Sequence, residues 1–249
     1  MADATPPRGF IVYGPVQSRR LGVSLGLNLL PARSKVCSFD CPYCECGFNT
    51  GKAADVRWPS PDEVGHALRR ALERLAAVPP DWITFSGSGE PTLHPRFPVV
   101  VDRVLAARDD LAPRTRVGVL SNGVLAAAPR IREALLRLDG RFLKLDPGPP
   151  ERVNGVAGDA GALADSYRAL HPVTVQAMVA RGPDWDGASA ASLAAWVPLL
   201  VRAAPVAVQL YSIERPPADP RVQDVPRERL LEMAEAIREA LPHAVVEVY

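Results

Sequence analysis

Six times along the chain a short apolar run gives way to a longer amphipathic segment, and this alternation limits the fold more than any other feature. The runs at residues 22–29, 82–86, 116–120, 141–146, 172–179 and 206–211 read as strands, and the segments near 61–77, 96–108, 129–138, 160–170, 188–202 and 226–240 as helices. Ser60-Pro61-Asp62-Glu63 opens the first helix with an N-cap, a proline at the first helical position and a capping-box glutamate. Parallel strands need long crossovers, and helices supply them. The expectation is therefore an α/β fold: a six-unit partial (β/α)6 TIM-type barrel forming one domain over residues 1–249. A closed barrel would need two more units, whereas a doubly wound sheet would fit the same count. Ala244 to Tyr249 is expected to add an edge strand. No linker, repeat or low-complexity tract divides the chain.

The 249 residues carry 29 Lys plus Arg against 28 Asp plus Glu, a net charge of +1. Such a balance supplies no general field for gripping nucleic acid, which stays possible only through a local patch. MADATPPRGF has no apolar h-region, so no leader is expected. Residues 187–213 carry one charge, Arg202. An arginine near mid-span costs about 2.5–3.5 kcal/mol on insertion, and Pro198 and Pro205 interrupt the stretch, which reads as helix, turn and strand. These features predict no membrane segment and a cytoplasmic protein. Only Lys35, Lys52 and Lys144 are lysines and 26 residues are prolines, a coding bias rather than a functional one.

All four cysteines lie between positions 37 and 46. Dispersed disulfides are thereby excluded, and clustered cysteines in a reducing compartment are metal ligands or redox thiols. Cys37-x3-Cys41-x2-Cys44 can hold three corners of a cubane iron–sulfur cluster, leaving the fourth iron open to another ligand. The alternative is a four-cysteine zinc knot that also uses Cys46, although zinc sites generally draw on two separated pairs. The histidines, His66, His94, His171 and His243, share no metal-binding spacing.

The string CSFDCPYC, with Tyr43 just before its last cysteine, resembles the signature of the radical S-adenosylmethionine (SAM) enzymes. Ser86-Gly87-Ser88-Gly89-Glu90-Pro91, Ser121-Asn122-Gly123 and QLYSIERPP (Gln209 to Pro217) agree in order and spacing. With GPVQSRRLG near the start, they resemble the subgroup of tRNA wybutosine-synthesising enzymes and their bacterial relatives. The resemblance implies a [4Fe–4S] cluster on Cys37, Cys41 and Cys44, whose open iron binds the amino and carboxylate groups of SAM. It implies reductive cleavage to a 5′-deoxyadenosyl radical that takes hydrogen from a substrate of small-molecule, peptide or nucleoside type. Tyr43 would lie near the adenine and Ser88, Gly89 and Glu90 near the methionine amine, with Ser88 where many members have glycine. Ser121 and Asn122 would lie near the ribose or the carboxylate. An electron donor such as flavodoxin or ferredoxin is implied, and no cysteines remain for an auxiliary cluster.

Other readings stay open. A glycyl-radical-enzyme activase is one, and a non-catalytic Fe–S or zinc-binding module is another, which would have no use for a SAM pocket. Cys46 fits no cluster position and reads as a nearby thiol. Arg19 and Arg20, placed just before the first predicted strand, form either an anion clamp or a solvated pair.

Strand alternation adds a last expectation. In residues 141–146, Leu143 and Leu145 share one face while Lys144 and Asp146 share the other. Gln176, Gln209 and Tyr211 recur opposite the valines of later strands. A filled barrel interior is mainly branched and apolar, so this polar face predicts a lumen holding ligand. Lys144, Asp146 and Tyr211 are catalytic candidates and Gln176 and Gln209 cofactor-binding ones; the alternative is a Lys144–Asp146 pair that only satisfies itself.

Overall fold

In the computed structural model, residues 10–31, 34–50, 57–156 and 158–249 are described. The opening run read for a leader lies, except for Phe10, outside them. By its internal contacts the chain divides into two compact units. Their described residues fall within Met1–Ser38, Asn49–Ser121 and Ala127–Arg141 for the first, and Phe39–Phe48, Asn122–Ala126 and Phe142–Tyr249 for the second.

The first unit begins with β1 (Val12–Ser18), antiparallel to β2 (Gly22–Leu27), which pairs parallel with β3 (Trp82–Phe85), itself parallel to β4 (Arg116–Ser121). The strand β1 was missed because Gly14-Pro15 and alternating half-exposed residues hide its periodicity. Arg19 and Arg20 consequently sit in a hairpin turn, where Ser18 Oγ accepts from the backbone of Arg20 and Leu21. The helices are α1 (Pro61–Arg74), α2 (Phe97–Leu111) and α3 (Pro129–Leu136). α1 starts as its sequence demands, with Ser60 and Glu63 capping each other's backbone. Leu25, Leu27, Ile83, Phe85, Val117 and Val119 from the strands are buried, as are Val64 and Leu68 from α1 and Phe97, Val100 and Val104 from α2. The rings of Phe85 and Phe97 meet edge to face at 5.4 Å. Each such side chain contributes about 1.5–3 kcal/mol by leaving water.

In the second unit, β5 (Gly140–Lys144, of which Phe142–Lys144 belong here) pairs parallel with β6 (Thr174–Met178), β6 with the later strand β9 (Ala207–Tyr211), and β9 with β10 (Val245–Val248). The expected strand at the end of the chain is thus present. The connections hold α4 (Pro150–Val153), α5 (Ala160–Arg168), a two-stranded ribbon of β7 (Arg181–Gly182) and β8 (Trp185–Asp186), α6 (Ala190–Ala203) and α7 (Arg227–Ala240). Val175, Val208, Trp196, Leu200, Met233 and Ile237 are fully buried. The helix α6 runs through Pro198 and stops before Pro205. Among the described residues no helix is long and apolar enough to cross a membrane.

Candidate active site

In the first unit, chain reversals after the strands create the polar positions. β3 ends at Phe85 and the chain turns through Ser86 to Pro91. Gly89, at φ +155°, forms a parallel bridge with Val36, and a β-carbon there would lie 2.1 Å from the Val36 carbonyl oxygen. Glu90 donates its backbone N–H to that same oxygen at 3.0 Å and caps a short 3₁₀ turn, Pro91–Leu93. Its carboxylate is buried; Oε1 accepts from the Thr92 backbone at 3.0 Å, the Thr92 hydroxyl at 2.6 Å and the Ser121 hydroxyl at 2.8 Å. Two of the predicted site residues, Glu90 and Ser121, are thus brought together, with Ser88 buried in the same turn. Cys37 is fastened by Asn49, whose Oδ1 accepts from the Cys37 N–H at 2.9 Å and whose Nδ2 donates to the Cys37 carbonyl at 3.2 Å. His94 is structural: Nε2 meets the Pro59 carbonyl oxygen at 2.7 Å, and burial lowers the ring's pKa.

In the second unit, Cys41 and Cys44 share a turn, Cys44 N–H donating to the Cys41 carbonyl at 3.1 Å. Tyr43, two residues on from Cys41, is buried and donates its hydroxyl to Asp146 Oδ2. Asp146 lies just beyond the end of β5, and its carboxylate has no solvent exposure. It also accepts from Lys144 at 3.3 Å, the Met178 N–H at 2.8 Å and Asn154 Nδ2 at 3.0 Å. The Lys144 ammonium sits 4.9 Å from the Tyr43 ring centroid and 5.4 Å from that of Tyr211, and donates to the Tyr211 hydroxyl at 3.2 Å. Burial opposes that ammonium, but Asp146, then Tyr211 and Cys41, outweigh burial and hold its pKa above the usual lysine value. For Tyr43 burial comes first, and the Asp146 charge adds to it, raising the phenol well above its usual range.

The remaining predicted positions are also located. Gln176 donates to Gln209 at 2.9 Å and Gln209 to Glu247 at 3.0 Å, a hydrogen-bonded row across β6, β9 and β10 at one register level. Lys144 is the register partner of Gln176, which extends the row to β5. Asn122 behaves as a turn residue, its Oδ1 accepting from Val124 N–H at 3.1 Å.

Sequence reasoning missed Thr92, Asn154 and Glu247. A Glu-x-Thr pair and an Asn-Gly pair read as ordinary caps and turns, so nothing local marked the first two. Alternation along VVEV, by contrast, was enough to set Glu247 apart from its valine neighbours.

The chemistry of the cysteines, rather than their grouping, suits an iron–sulfur cluster, since among the described residues no three His, Cys, Asp or Glu side chains are gathered as a metal site. None of the four cysteines is in a disulfide. Cys41 is buried, and burial first, then the Asp146 charge, pushes its thiol up to about 11. A buried thiolate needs a compensating cation, and a bound metal supplies it.

Comparison with known proteins bears on the family and the fold. The model of the Radical SAM superfamily matches residues 33–146. A UPF0026 protein of Helicobacter pylori is 34% identical over 146 residues, 59% of this chain and 44% of that protein. A second UPF0026 protein, from Methanocaldococcus jannaschii, is 34% identical over 137 residues, covering 55% of this chain and 40% of that one. The chain therefore spans less than half the length of these relatives. Among solved structures, Streptococcus suis SuiB bound to its precursor peptide SuiA has TM-score 0.61 at 14% identity, covering 90% of this chain and 48% of SuiB. The anSMEcpe enzyme with bound AdoMet and a peptide has TM-score 0.56 at 13% identity, covering 90% of this chain and 62% of that one. These likenesses concern the fold, an α/β fold with a mostly parallel sheet of the partial TIM-barrel type. Residues 33–146 are thus similar to the radical SAM superfamily, whose members are enzymes that use a [4Fe–4S] cluster and SAM, while the likeness to the solved structures is one of fold.

Proposed function

We propose that residues 1–249 act as one radical SAM domain that holds a [4Fe–4S] cluster through Cys37, Cys41 and Cys44, binds SAM and abstracts hydrogen from a substrate. The observation that supports this most is the meeting of the cysteine motif's Tyr43 with Asp146 and Lys144, and of Lys144 with Tyr211, around the strand ends where α/β barrels bind ligands. Held by Cys37, Cys41 and Cys44, the cluster would supply the electron for reductive cleavage of the C5′–S bond of SAM to methionine and a 5′-deoxyadenosyl radical.

The chain's own residues bind and orient. Glu90, its carboxylate fixed by Thr92 and Ser121, takes the methionine ammonium, beside the Ser88 and Gly89 backbone. Tyr43 lies toward the adenine. Lys144, held between two tyrosine rings, takes an anionic group of SAM or substrate, and the Gln176–Gln209–Glu247 row reads the substrate's polar groups. The substrate is a small molecule, peptide or nucleoside-type compound. SuiB and anSMEcpe, which share the fold, were solved with peptides bound, whereas the motifs GPVQSRRLG and QLYSIERPP resemble the wybutosine subgroup. A flavodoxin or ferredoxin is the reductant, and the clustered cysteines suit a reducing cytoplasm.

The test is anaerobic reconstitution with iron and sulfide, then incubation with SAM and dithionite. 5′-Deoxyadenosine is expected to accumulate, slowly without substrate. Protein that loads a cluster but neither binds SAM nor forms 5′-deoxyadenosine overturns the reading. Replacing Cys37, Cys41 or Cys44 singly by Ala should abolish iron loading, and Cys46→Ala should leave it; normal iron in C41A would remove the ligand assignment.

A further inference from the structure

The short helix α4 ends at Val153, and its C-cap Asn154, with Gly155, underlies the cysteine loop. Asp40 N–H donates to the Asn154 carbonyl at 2.8 Å. Gly155 has φ +71°, and a β-carbon on it would stand 2.6 Å from the Asp40 carbonyl oxygen. Loop and turn are thus in backbone contact. From this seat the Asn154 side chain, itself buried, reaches Asp146 Oδ2 at 3.0 Å, Tyr43 Oη at 3.4 Å and Cys41 Sγ at 3.7 Å.

The amide has two N–H groups for these three acceptors. Tyr43 already spends its own proton on Asp146, and its contact with Asn154 is long for an N–H···O bond. Asp146 and the Cys41 sulfur are therefore the natural recipients. The reverse amide orientation would set the carbonyl oxygen against a carboxylate and a thiolate, two acceptors that offer it no proton.

We infer that Asn154 is a positioning residue for the cluster: it seats the Asp40–Tyr43 segment and donates an N–H···S hydrogen bond to Cys41 that raises the cluster's reduction potential. The inference rests on the proposed function, since it takes Cys41 as a ligand. Hydrogen bonds to cluster sulfurs are among the levers that set iron–sulfur potentials. A reduced cluster spreads one more negative charge over its sulfurs, so a donor there stabilises the reduced form more than the oxidised one. Asn154 also ties that sulfur to Asp146, and through it to Lys144, in one hydrogen-bonded group.

An EPR-monitored redox titration of reconstituted wild type, Asn154→Ala and Asn154→Gln, without SAM, tests this. The expected result is a redox-active cluster in wild type and a lower midpoint in N154A. At the wild-type midpoint the reduced-to-oxidised ratio of N154A should fall about tenfold, equivalent to about 59 mV for one electron. N154Q, which keeps the amide, should return toward wild type. A purely structural role would reduce iron loading without moving the midpoint of the loaded fraction, and that outcome overturns the inference. If N154A loads no iron, the wild type still decides. Reduced protein grown with ¹⁵N-asparagine should show a weak ¹⁵N coupling at the cluster, and its absence overturns the inference. Wild type without any redox-active cluster would instead bring down the functional reading beneath it.

Discussion

At the scale of single residues, the buried Asp146 carboxylate is the organising charge of the second unit. It collects Lys144, Tyr43, Asn154 and the Met178 N–H, and removing its cation leaves a buried anion short of a partner. Breaking a buried pair from one side costs about 3–5 kcal/mol. Lys144→Met should lie near the low end because three other donors remain, and urea unfolding of the apo chain measures it. A loss within error of zero would mean that solvent already satisfies Asp146. In the first unit, Glu90→Gln removes the charge that the proposed function assigns to SAM while keeping the shape of the Thr92 and Ser121 network. One hydrogen bond to a charged group is worth about 1.5–3 kcal/mol, a loss in SAM affinity of about ten- to over a hundredfold. Calorimetric titration of the cluster-loaded protein checks this, and an unchanged dissociation constant would move the methionine end elsewhere.

At the scale of elements, α6 carries the clearest local conflict. Its C-cap, Ala204, is a non-glycine residue in the left-handed conformation with φ 48°. The following Pro205 cannot continue a helix, so the chain must turn sharply here. A β-carbon costs about 1–2 kcal/mol in that conformation, against which glycine's extra unfolded-state freedom must be set. Ala204→Gly should therefore stabilise the chain by about 1 kcal/mol, seen as a higher urea midpoint with unchanged slope. Helix starts were more legible than helix ends. The expected segment 61–77 begins at Pro61 as its capping box requires but stops at Arg74, short of the expected end, because nothing in Leu75 to Val78 ends a helix before Pro79-Pro80 does. β1 and the β7–β8 ribbon were invisible for a related reason: short strands with half-exposed residues leave no apolar period to detect.

At the scale of the whole molecule, ligand loading should be felt as stability, since a ligand that binds only the folded chain stabilises it in proportion to RT ln(1 + [L]/Kd). SAM at a hundredfold excess over its dissociation constant should add about 2.7 kcal/mol to unfolding of the cluster-loaded protein. A thermal or urea titration with and without SAM reads it, and no shift would count against specific binding. Local pattern alone carried the class of fold and the motifs: six strand–helix units, the capping box at Ser60, the three spaced cysteines and the polar residues alternating with valines. These are local properties, set by periodicities of two and 3.6 residues and by spacings within ten residues. Which of those residues share partners emerged only from long-range packing. Asn154 meets Cys41 across 113 positions, Tyr43 meets Asp146 across 103, and Gln209 meets Glu247 across 38. No local pattern encodes such pairs, because strand register and the seating of one loop on a distant turn are chosen by burial and hydrogen bonding of the folded chain as a whole.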